Sequence, residues 1–214
     1  MQDDQPQPSP YTNKKEERQR LKEQERRERQ RTRLMRMFRN YTIVAVAVIA
    51  VGYGIYLLAQ ITAPKGEDFS RAIPALEDSD HIPDGAEPAV AYNSNPPTSG
   101  QHYGQPARPG FRKEKIPDGN LIHSMEHGLV LISYHPRIGA EVEKLRDVTG
   151  PTTVIVGREA NDTDIALAAW GRLDTFNLED GIIDDNDLRR INDFTKRYSN
   201  KGPERIPAGQ HGGI

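Results

Sequence analysis

The sequence predicts an α+β protein: one small extracytoplasmic domain with a short mixed or antiparallel sheet and two to three helices, preceded by a single transmembrane helix. Three observations carry this reading. Between Asn40 and Lys65 there is no Asp, Glu, Lys, Arg or His, and Tyr41 to Ile61 is dominated by Ile, Val, Ala and Leu. Charge is divided unevenly about that stretch. Beyond it, short β-branched runs alternate with segments of helical period, as expected where strands and helices share one core.

Residues 1–40 form a basic tail expected to be cytoplasmic, disordered at first and then helical. Met1 to Pro10 is Gln, Asp and Pro, too poor in apolar groups to bury a core. From Asn13 to Arg39, pairs such as Glu16–Arg20, Glu23–Arg27 and Glu25–Arg29 stand at i,i+4 spacing and favour a solvated helix. The apolar residues there, Leu21 and then Leu34, Met35, Met37 and Phe38, are too few for a coiled-coil seam. Residues 41–61 are the expected membrane helix, since about 20 apolar residues rising 1.5 Å each cross the ~30 Å hydrocarbon layer. A cleavable signal has a shorter apolar core, and Gly52 and Gly54 are tolerated in lipid. Residues 1–40 carry 12 basic and seven acidic residues, the remainder 17 basic and 24 acidic. Basic residues beside a membrane helix stay inside, so the expected topology is single-pass in the plasma membrane, N-terminus in and C-terminal domain out.

Residues 62–89, with Pro64, Pro74, Pro83 and Pro88, read as an extended stalk, residues 90–205 as the globular domain and 206–214 as a flexible tail. Within the domain, Leu129 to Tyr134, Thr152 to Val156 and Ile165 to Trp170 read as strands, with Arg172 to Phe176 continuing or pairing with the last. Ile138 to Val148 and Asp184 to Tyr198 read as helices, the second capped by Asp184 or Asp185. Asn120 to His127 reads as a short helix capped by Asp118 or Asn120 and ended by Gly128, because Leu121, Ile122, Met125 and Leu129 repeat at three and four.

Cysteine is absent, which excludes disulfides, thiolate nucleophiles and Cys-based zinc sites. No Gly-rich phosphate loop and no nucleophile elbow occurs, and the basic tail is read as topogenic, with the lipid bilayer and not nucleic acid as its partner. Chemistry is left to histidine. The run Asn95-Pro96-Pro97-Thr98-Ser99-Gly100 is a rigid loop presenting His102 and Tyr103, suited to binding or simply to a structural turn. In His123-Ser124-Met125-Glu126-His127, a helix puts His123 and His127 one turn apart on one face, where they share an ion, whereas a strand separates them. Met125 as a further ligand favours reduced copper; Glu126 favours zinc or another divalent ion. The letters H-x-x-E-H, with Glu204 as a distant carboxylate, also match the inverted zincin pattern. His81, in the stalk, and His211, in the tail, read as incidental, and His135 as the end of a strand.

From Tyr92 to about Glu204 the chain resembles a family of bacterial membrane-anchored proteins with an extracytoplasmic domain of unknown function. The resemblance rests on Asn95-Pro96-Pro97-Thr98-Ser99-Gly100 with His102-Tyr103, on His123 with Glu126-His127-Gly128, on Ala169-Trp170-Gly171 and on Gly202-Pro203-Glu204. It implies a membrane-tethered module and no catalytic role. Three readings follow from the residues: a copper or zinc site at His102, His123 and His127, a non-catalytic module with structural histidines that holds an envelope protein partner, or a metal-dependent hydrolase with Glu126 as base.

Overall fold

The computed structural model describes residues 10–204 and 206, with side chains from residue 17 on. The segments read as a disordered start and a flexible tail, His211 included, lie almost wholly outside the described residues. Two compact units divide the chain, residues 1–61 and 62–214.

The first unit is one helix, α1 (Pro10–Thr62), so the charged and the apolar segments form a continuous rod of 53 residues. No proline interrupts it after Pro10, Arg29 and Glu25 pair at 3.7 Å, and the Thr32 and Thr42 hydroxyls donate to the carbonyls of Glu28 and Phe38. It is long and apolar enough to cross a membrane, and none of its apolar stretch is buried against protein. That lack of burial separates it from the core helix of a globular protein, which passes the same length test by being covered.

The second unit is built on a six-stranded mixed sheet whose strands, in spatial order, are β1 (Arg71–Ala72), β8 (Arg172–Phe176), β7 (Ile165–Ala169), β5 (Val130–Tyr134), β6 (Thr153–Gly157) and β4 (Gly110–Arg112). Its centre is β5 (Val130–Tyr134), parallel to β6 (Thr153–Gly157) and antiparallel to β7 (Ile165–Ala169). β8 (Arg172–Phe176) does not continue β7 but returns beside it through Gly171, whose φ of 66° suits the tight turn. The central strands are covered on both faces and so read as unbroken apolar runs. Val130, Ile132, Ile155, Ile165 and Leu167 face one way, towards Ile138 and Leu145 of a kinked 3₁₀ segment (Pro136–Val148) and Ile191 and Phe194 of α3 (Asp185–Tyr198). Leu131, Val154, Val156, Ala168 and Leu173 face the other way, towards Leu121, Ile122 and Met125 of α2 (Asp118–Glu126).

Where a regular helix was expected over Ile138–Val148, Gly139 at φ 59° breaks the backbone and the segment tightens to 3₁₀ turns. The expected stalk is also corrected. Residues 62–89 are extended, as four prolines require, but they are laid down on the domain. The amides of Lys65 and Gly66 donate to Asp193, the Tyr198 hydroxyl donates to Asp68 at 2.6 Å, β1 (Arg71–Ala72) edges the sheet beside β8, and β2 (His81–Ile82) pairs in parallel with β3 (His102–Tyr103). The remaining strand, β4 (Gly110–Arg112), runs parallel to β6 at the opposite edge. Bridges of two or three residues have no periodicity, which is why the sequence reading passes over them.

α3 closes the apolar face through a capping box in which the Asp184 carboxylate accepts from the amides of Asn186 and Asp187, and Asp187 reaches back to the Asp184 amide. Replacing Asp184 with Ala should lower unfolding free energy by about 1 kcal/mol, read as an earlier urea midpoint with unchanged slope.

Candidate metal centre

α2 starts directly after Pro117, whose carbonyl accepts from the amides of Asn120 and Leu121. Its N-terminus is fixed from outside by Arg158, which donates to both oxygens of Asp118 at 2.8 and 2.7 Å and also reaches the Asn95 side-chain oxygen. One guanidinium thus ties the helix to the proline loop. Asn95 in turn donates to the carbonyl of Ala160, and the Asn95–Pro96 peptide is cis. The helix ends at Gly128, where φ is 88° and a Cβ would meet the backbone of Asn200.

The proline loop is buried from Pro96 to Gly100, so it is a support and not an open binding surface. Ser99 Oγ accepts from the Leu76 amide, the Thr98 carbonyl from the Gly171 amide, and the Gly100 carbonyl from Nδ1 of His102 at 2.9 Å. Tyr103 lies across Gly119, its hydroxyl on the Ala86 carbonyl at 3.4 Å, and its own carbonyl takes Nδ1 of His123 at 2.7 Å.

Those two carbonyls decide the chemistry. A carbonyl only accepts, so Nδ1 carries the proton in both His102 and His123, and in the neutral rings each Nε2 is left with a lone pair. Burial holds both imidazoles below their ordinary pKa, with neighbouring histidines adding to the shift, so the neutral form is the one at physiological pH. Burial pushes the Glu126 carboxyl up, and the nearby Glu204 charge adds to it. His102 Nε2 is buried and makes no hydrogen bond, although Glu126 Oε2 lies 3.0 Å away. Two acceptors facing each other at that distance repel unless a proton or a cation stands between them.

Four groups meet here. Single ligand atoms from His81, His102, His123 and Glu126 all lie within 4.8 Å of one another. His81 arrives by the β2–β3 pairing, which sets it directly beside His102 in register, with ring centroids 4.8 Å apart and the His123 ring also at 4.8 Å. The sequence reading takes His81 as incidental, and the structure corrects that. The signal for it was slight: an Asp80-His81-Ile82-Pro83 run in an extended segment gives no hint of its pairing.

The helical alternative for residues 120–127 holds, so His123 and His127 stand one turn apart, with their Nε2 atoms 3.0 Å from each other. His127 also lies 3.4 Å from Oε2 of Glu204, which the last described segment brings up beside the end of α2. Met125 points elsewhere. It is buried in the apolar cluster with Leu121, Ile122 and Leu131, where its thioether packs the core. His135 accepts from the Arg137 amide at the start of the 3₁₀ segment and takes no part.

The donor set is therefore nitrogen and oxygen, imidazole with carboxylate, which suits zinc and other divalent first-row ions more than reduced copper. The family model described as "Protein of unknown function (DUF3105)" matches residues 85–210, a span that holds His102, His123, Glu126, His127 and Glu204 but not His81. No curated protein and no solved structure matches the chain.

Stability without metal should follow the two imidazoles. Their folded pKa values lie below the unfolded value of about 6.5, so their contribution is complete above that pH and is lost as pH falls through it towards the folded values. Glu126, raised, acts in the opposite sense, but it is one group against two. Chelator-treated protein should accordingly melt at progressively lower temperature from about pH 7 down to about 5; a melting temperature that rises over this range would contradict the assignment of neutral rings.

Proposed function

We propose that this chain, which belongs to the DUF3105 family of proteins of unknown function, is a membrane-tethered metal-binding protein whose outer domain holds a divalent transition metal through His81, His102, His123 and Glu126. One observation supports this above the others: the carbonyls of Gly100 and Tyr103 turn two buried imidazole lone pairs inward, that of His102 against the Glu126 carboxylate and that of His123 against His127. That arrangement needs a proton or a cation between the facing groups, and a cation satisfies them all at once. Outer groups that fix the ring and its tautomer are what metal-bound histidines use elsewhere. Zinc fits the mixed nitrogen and oxygen set, and copper(II) shares the imidazole preference.

The tether is α1. Its apolar stretch suits a bilayer, and the excess of Arg and Lys on its N-terminal side favours retention of that end in the cytoplasm and export of the domain. Absence of cysteine leaves an exported metal site with no thiol to oxidise. A module with purely structural histidines would need a proton held between His102 and Glu126, and the hydrolase reading needs a Glu126 free to take a proton from water, whereas this carboxylate is turned to His102.

Elemental analysis of the full chain purified in detergent should find bound zinc, and the His102→Ala/His123→Ala double variant should lose affinity by more than the ~10–100-fold typical of changes outside the ligand set. Unchanged affinity in that variant would end the proposal. In intact spheroplasts, added protease should remove the C-terminal domain and spare an N-terminal tag; protection of the domain would reverse the topology.

A further inference from the structure

His127 and Glu204 are left over by a four-ligand ion, yet they are not remote from it. Resting on the metal reading above, we infer that the centre holds two divalent ions, the second bound by His123, His127 and Glu204. Donor number comes first: four imidazoles and two carboxylates converge on one end of α2, while an ion of the zinc class takes about four ligands. Spacing comes next. Ligand atoms on one tetrahedral ion with bonds of ~2.0–2.1 Å lie about 3.3 Å apart. The pairs His123–His127 at 3.0 Å and His127–Glu204 at 3.4 Å match that edge, as does His102–Glu126 at 3.0 Å, and the three pairs fall in two groups. The atoms of His81, His102, His123 and Glu126, all within 4.8 Å of one another, can close on one ion, and when a second ion is bound His123, 3.0 Å from His127, passes to it. With two ions the donors divide evenly, three to each: His81, His102 and Glu126 for one, and His123, His127 and Glu204 for the other.

Glu204 is delivered by its backbone, which distinguishes it from a surface acid that happens to pass. The Asn200 amide donates to the Gly128 carbonyl at 2.7 Å and the Glu204 amide to the Glu126 carbonyl at 3.0 Å. Gly202 lies so close to the last turn of α2 that a Cβ there would collide with the carbonyls of Met125 and Glu126. The Glu204 side chain is 62% exposed, so the second ion would face solvent, whereas the first would lie against the buried His102 with only His81 on its outer side.

The experiment is zinc stoichiometry on the full chain in detergent micelles, by equilibrium dialysis followed by elemental analysis, for the native sequence, Glu204→Gln and His127→Ala. About two zinc ions per chain in the native protein and about one in each variant, with circular dichroism unchanged, is the expected result. About one ion in all three proteins overturns the second site and leaves the first standing, and about two in all three places the extra ion elsewhere and also overturns it. No bound zinc in the native chain refutes both sites together. Glu204→Gln keeps shape and hydrogen-bonding length at an exposed position, so it decides the matter even where His127→Ala disturbs the helix.

Discussion

The outer domain is organised around the direction of two imidazole rings. The carbonyls of Gly100 and Tyr103 each take an Nδ1 proton, and everything near them serves to hold those carbonyls still. The proline loop is buried and bonded to Leu76 and Gly171 so that Gly100 cannot move, and Arg158 joins that loop to the first turn of α2, where His123 begins its descent to the site. A charged group half enclosed by protein, bonded on several sides at once, specifies geometry more than it adds stability. Here it fixes where two lone pairs point.

Much of the framework was legible in the sequence because long, strongly patterned segments report their own structure. The unbroken apolar runs around Val130–Tyr134 and Thr153–Gly157 are central strands covered on both faces, and the Asp184 cap with its apolar spacing marks α3. The helix carrying His123 and His127 was legible for the same reason, since Leu121, Ile122 and Met125 must reach the core together. Short bridges were not. β2 and β3 are two residues each, and their register alone sets His81 beside His102. Composition reads four prolines as a stalk, but proline fixes only the local dihedral and says nothing of what an extended chain lies against. Met125 shows the opposite failure. Its letter suggested a soft ligand, while its position in the period assigned it to the core.

Four separate parts of the chain would supply the donors of the proposed centre: the first extended segment at His81, the loop at His102, α2 at His123, Glu126 and His127, and the terminal segment at Glu204. None of these parts could assemble the site alone, and the unfolded chain holds no such constellation. An ion bound here is therefore a cross-link between segments far apart in sequence, and its binding free energy is added to that of folding. The weakest of the four attachments gains most. β2 is held to β3 by a two-residue ladder and, among the described residues, the terminal segment to the end of α2 by backbone hydrogen bonds from Asn200 and Glu204, so each would be braced by a shared ion.

That distribution has a consequence for exchange of metal with the surroundings. The buried rings of His102 and His123 sit on the rigid side, packed on the sheet through α2, and do not move without disturbing the core. His81 and Glu204 are exposed, so in the proposed centre they would be the first ligands to leave. An ion would then be released by stepwise loss of outer donors while the inner imidazoles keep their orientation. A site that only braces a fold needs a full set of protein ligands on each ion. The proposed centre would be closed towards the core and open towards solvent, an arrangement that would leave the outer coordination positions accessible to exchange.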